Sequence, residues 1–156
     1  MNSIAQQELP LLEQTLNLRH ELMDVLQDSD LTFKIDGNPT LGELLKQAAE
    51  TEQQYADSFT TCNHDWTLTL DPGLATSVVA LKDAFAHSEQ AFKNALSGLS
   101  EAEAEARIID RQHMTIPVRV QFHIYREAFL IYMAKVSVYL KAMGKPVPDQ
   151  MATWIG

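Results

Sequence analysis

The side chains with chemistry to offer are five histidines, one cysteine and a tyrosine-rich stripe late in the chain. His20, His64, His87, His113 and His123 include no pair spaced by three or four, so no helix presents a ready two-imidazole face to a metal. A site assembled across helices from His20, His87 and His123 stays open, beside plain surface or hydrogen-bonded histidines. His123 and Glu127 stand one helical turn apart, as do Glu43 and Gln47. Such pairs either orient a group for acid–base work or make local hydrogen bonds. Cys62 precedes His64 and Asp65, and a nearby imidazole can lower a thiol pKa. Side chains that close in a loop rarely hold attack geometry, however. The six glycines are scattered and form no phosphate cradle.

The stripe is more informative. At about 100° per residue, Gln121, Tyr125, Ala128, Tyr132, Lys135 and Tyr139 share one side of a helix. Val118, Phe122, Phe129, Val136 and Met143 flank it on one side, and Ile124, Ile131 and Val138 on the other. That arrangement is the wall of a pocket or a hydrogen-bonded seam. Lys135, if it faces inward, needs a carboxylate such as Glu50 or Glu52, because a lone buried ammonium deprotonates. Otherwise its stem snorkels to water.

Four long helices must position these groups. Leu9, Leu12, Leu16, Met23 and Leu26 trace the first, from about Ala5 to Gln27, with Pro10 as its first turn or a kink. Thr40 and Glu43 have capping-box spacing and open a second helix to about Phe59. Thr60 to Gly73 is a loop in which Trp66, Leu68 and Leu70 alternate like a short extended piece. A third helix carries Val78, Leu81, Phe85, Phe92 and Leu96 and closes near Gly98. Ser100 with Glu103 caps a short turn, and Arg107 to Thr115 is a connector. Thr115 is expected to cap the fourth long helix, with Pro117 in its first turn, and Gly144, Lys145 and Pro146 to end it. The tail from Val147 to Gly156 folds back.

A chain of 156 residues, 46% hydrophobic and 21% charged, is sized for one domain, residues 1–156, with its own core. Its 21 acidic and 12 basic side chains give a net charge of −9 without a long block. Binding to nucleic acid needs a clustered positive surface, so that class is set aside. One cysteine excludes an internal disulfide and a cysteine zinc cage and suits a reducing compartment. The opening ten residues lack the pattern of a signal peptide, and no run approaches the ~18 apolar residues of a membrane span. A cytoplasmic location with no membrane partner is the expectation.

Pro39-Thr-Leu-Gly-Glu-Leu-Leu-Lys-Gln47 with Glu52 and Tyr55, and later Val136-Ser-Val-Tyr-Leu-Lys-Ala-Met-Gly144, resemble the DinB/YfiT-like superfamily. Ile124-Tyr-Arg-Glu-Ala-Phe-Leu-Ile-Tyr-Met-Ala-Lys135 and the closing Trp154-Ile-Gly156 look like a subgroup of uncharacterised DinB-like proteins. The resemblance implies an all-α, up-up-down-down four-helix bundle with a long crossover connection and frequent homodimers. Many members hold a divalent metal through three histidines, and some act as metal-dependent hydrolases or thiol transferases. By position those ligands fall on Gln47, Ala128 and Tyr132, none of them a histidine. Alanine cannot ligate, and neutral glutamine and tyrosine are poor ligands for zinc or nickel.

The expectation is therefore a DinB-like protein with a degenerate metal site, no cofactor, and an inclination away from catalysis. Its central cleft would take a small polar ligand through Gln47, Glu50, Gln121, Tyr125, Tyr132 and Lys135, or be filled by those side chains. The alternative is a metal-dependent enzyme whose divalent metal has moved to His123, Glu127 and other histidines. A homodimer is expected because the apolar residues of the fourth long helix wrap too far round for one core-facing stripe.

Overall fold

The computed structural model describes residues 2–155, and in them the chain is mostly helical. Its elements are α1 (Ser3–Val25), α2 (Leu41–Thr61), α3 (Val78–Gly98), α4 (Glu101–Ala106), β1 (Ile108–Asp110), β2 (Thr115–Pro117), α5 (Val118–Ala142) and α6 (Asp149–Ile155). Capping chemistry sets the helix starts. Thr40 and Glu43 close a reciprocal capping box on α2, and Ser100 and Glu103 do the same on α4. The α1 helix starts at Ser3, where Asn2 caps it, so Pro10 lies inside the helix. At the far end of α5, Gly144 adopts φ +70°. Lys145 N–H then donates to Leu140 O and Gly144 N–H to Lys141 O, which satisfies two orphan carbonyls.

Side-chain pairings give the sense of each helix. Asn2 meets the carbonyls of Leu96 and Leu99, Arg19 meets Glu89, and Lys82 meets Asp24, so α1 and α3 are antiparallel. Gln121 to Ser58, Tyr132 to Thr51 and Tyr139 to Pro39 make α2 and α5 antiparallel. Ser88 on Gln53 and Phe92 on Phe59 make α2 and α3 parallel. The long helices thus run up-down-down-up, which corrects the expected up-up-down-down order. The long crossover lies between α2 and α3 and travels back along α2. Gln54 donates to Leu68 O, and the Glu50 carboxylate accepts from Leu70 N–H. At Gly42 a Cβ would sit 1.9 Å from Ala75 O, so only glycine lets the crossover pass this close.

Three local expectations change. Residues 107–115 are not a plain connector: β1 and β2 form an antiparallel hairpin that turns Ile109 and Ile116 inward. Thr115 belongs to β2, and Pro117 itself is the N-cap of α5, without a side-chain cap. Trp66 to Leu70 forms no strand. The tail does fold back as α6, as far as it is described, with Gly156 outside the described residues, and Met151 is fully buried in the hydrophobic core. No described helix is long and apolar enough to cross a membrane.

Candidate functional site

The polar centre of the molecule is built on Arg19. Its position in α1 falls in register between Leu16 and Met23, where the helix faces the core, and its side chain is 1% exposed. The guanidinium donates to both oxygens of Glu52 on α2 and, at 2.6 Å, to Glu89 on α3. Its Cζ lies over the Phe85 ring, 4.7 Å from the centroid, a cation–π contact that arginine makes more often than lysine. Tyr125 on α5 stands beside the Glu52 carboxylate, so all four long helices contribute. Burial pushes the Glu52 carboxyl up and the Tyr125 hydroxyl well above its usual range. Burial also resists the charge on Glu89, but Lys93, Arg19 and His20 hold its pKa down. His20 Nε2 reaches Glu89 at 3.0 Å from the solvent side.

A second polar cluster closes the end where the hairpin meets α2 and α5. Cys62 takes the left-handed conformation (φ 60°) and ends α2; its carbonyl accepts from Asp110 N–H, and His64 N–H donates to Asp110 O. These bonds press His64 into the interior at 0% exposure. Gln121 Nε2 donates to Ser58 Oγ at 2.8 Å and reaches His64 Nδ1 at 3.0 Å, while its Oε1 accepts from Arg111 at 2.5 Å. The Arg111 contact fixes the amide orientation, which makes His64 Nδ1 an acceptor and places the ring proton on Nε2. That Nε2 has no hydrogen-bond partner among the described residues. The ring packs between Tyr55 and Trp66, with centroids 4.6 and 4.2 Å away. Burial, and then the charge of Arg111, lower the His64 pKa from 6.5 to about 4. His64 is a neutral wedge.

Of the residues expected to line a cleft, Tyr125 and Tyr132 border one small space and Lys135 stands over the Tyr132 ring, but the six are not gathered around a common site. Gln121 and Tyr125 are buried, one in each cluster. Tyr132 bonds Thr51 at 3.1 Å, and Lys135 is exposed, with its ammonium 5.3 Å from the Tyr132 ring centroid. Lys135 therefore takes neither Glu50 nor Glu52 as partner; Glu50 pairs with Lys46. Gln47 points to solvent. Between α2 and α5 the cavity lined by Ala48, Thr51, Glu52, Tyr125, Phe129, Tyr132 and Met133 measures about 10 Å³. That is room for about one water. The positions that resemblance assigns to metal ligands do not fit a metal either, since Gln47 is exposed, Ala128 has no donor and Tyr132 is held by Thr51. Among the described residues no three His, Cys, Asp or Glu side chains gather as a metal-holding group. His123 lies 4.0 Å from Glu8 on the surface, and His87 is exposed elsewhere.

Open space lies instead along α1 and α3. A cavity of about 270 Å³ is bounded by Arg19, His20, Met23, Asp24, Lys82, Phe85 and Ala86. Beyond His20 a shallower one of about 550 Å³ continues past Glu89 and Lys93. Arg19, Glu89 and His64 were not singled out from sequence as partners in these clusters. A signal existed for the first: Arg19 and Glu52 each occupy an apolar register position of their helix, between Leu16 and Met23 and between Ala48 and Tyr55. Two opposite charges in core registers imply a buried pair. Comparison with family models finds no match, and no match is found among curated proteins.

Proposed function

We propose that this chain is a DinB-like four-helix bundle without the family's metal centre, working in the cytoplasm as a homodimeric binding module and not as a catalyst. The observation that carries this reading is the Arg19–Glu52–Tyr125 cluster. At the heart of the four helices Arg19 neutralises and hydrogen-bonds Glu52, with the Tyr125 hydroxyl beside them, so none of them serves as a base or an open ligand position. The α2/α5 seam is filled by its own side chains, whereas the α1/α3 groove has room for a small molecule. A small amphiphilic molecule suits it, with an apolar part against Met23 and Phe85 and a polar group at His20 and Glu89.

Two measurements test this. Elemental analysis of purified protein should find no stoichiometric transition metal; stoichiometric zinc or nickel that disappears in His123→Ala would restore the metal-dependent hydrolase or transferase reading. In a thermal-shift screen of small amphiphilic compounds, stabilisation should vanish in Ala86→Trp, which fills the groove from an exposed position, and persist in Tyr132→Phe. The reverse pattern would return the ligand to the α2/α5 seam.

A further inference from the structure

The outward face of α5 is uncovered, and its residue pattern is symmetrical about Ile131. Ile131 is 56% exposed, Val138 55% and Val120 41%, with Ile124 half-buried on the same side. Equal steps in either direction from Ile131 meet matched residues. Three away stand Ala128 and Ala134; four away, Glu127 and Lys135; seven away, Ile124 and Val138; eleven away, Val120 and Ala142. At about 100° per residue all of these fall within roughly 60° of Ile131. Glu127 and Lys135 are both exposed, and among the described residues neither joins an ion pair within the chain.

We propose that this face is a self-complementary dimer surface, on which two copies pack α5 against α5 antiparallel about a two-fold axis at Ile131. The proposal rests on the homodimer reading above and names its surface and register. A two-fold interface requires each patch to be its own complement. The antiparallel arrangement meets that requirement: Ile131 meets its twin, Ile124 meets Val138, and Glu127 of each copy faces Lys135 of the other. A parallel arrangement would set acid against acid and base against base. Ala128 and Ala134 flank the axis and let the helices approach to about 8–10 Å. The 25 residues of α5 give a seam about 37 Å long.

The test is sedimentation velocity on the whole chain with charge-reversed variants. Glu127→Lys alone, or Lys135→Glu alone, sets like charges opposite each other at both ends of the seam. Each should weaken self-association by roughly tenfold or more. An equimolar mixture of the two variants should associate as wild type does, and so should the double swap. Both sites are exposed, and unchanged thermal melts would show that the fold is intact. A wild-type chain that stays monomeric at roughly 0.1 mM sinks the homodimer reading and this surface together. A stable dimer indifferent to both reversals removes only the α5 surface. Failure of the mixture to recover overturns the antiparallel register.

Discussion

Removing the Arg19 guanidinium strands the Glu52 carboxylate among apolar neighbours. Arg19→Met should therefore cost about 3–5 kcal/mol of unfolding free energy in urea titrations. Arg19→Met combined with Glu52→Leu should recover more than half of that, since the charge left without a partner is gone. Equal destabilisation by the single and double variants would mean that packing, not charge, dominates the site. His64 gives a pH effect of defined sign. Its folded-state pKa of about 4 lies below the usual 6.5, so the unfolded chain takes up the proton first. The stability it supports is complete above pH 6.5, declines as pH falls, and levels off near pH 4. The gap corresponds to about 3 kcal/mol. Urea midpoints across that window should show the decline in wild type and a shallower one in His64→Leu. Residue types alone did not reveal this role: beside Cys62 and Asp65 in a polar loop, His64 has the look of a surface histidine. Only the bonds to Asp110 and Gln121 turn it inward.

Close approach explains Gly42. Its missing side chain lets the crossover carbonyl of Ala75 sit against the first turn of α2, so Gly42→Ala must displace backbone. A loss of about 1–3 kcal/mol in denaturant unfolding is expected. A neutral result would show that the crossover yields freely there. Elements with strong local signals were legible from sequence. The Thr40–Glu43 and Ser100–Glu103 boxes and the Gly144 stop lie where their spacing put them. The hairpin was not. Its strands are three residues each, too short for alternation to stand out, and they are held by Cys62–His64, which is distant in sequence. Thr115 was a plausible cap by type, but pairing with Asp110 claims it for β2.

Across the molecule, the all-helical class follows from periodicity, whereas the sense of the helices does not. Periodicity says which face is buried but not which neighbour buries it. The crossover sets the order, and the contacts that fix its path, Glu50 with Leu70 and Gln54 with Leu68, join a helix face to a loop that has no repeat. The same wiring ranks local stability. The middle of α2, flanked by α3, α5 and the returning crossover, should show the slowest amide hydrogen exchange, and residues 65–69 and 111–114 the fastest. Exchange in α2 as fast as in α1 would contradict that ranking. The lone ring N–H of His64 adds a practical consequence. Sealed from solvent between two aromatic rings, it should give a shifted, long-lived imidazole proton signal in nuclear magnetic resonance. The protein thereby contains a built-in gauge of whether the hairpin end is shut, readable without any label.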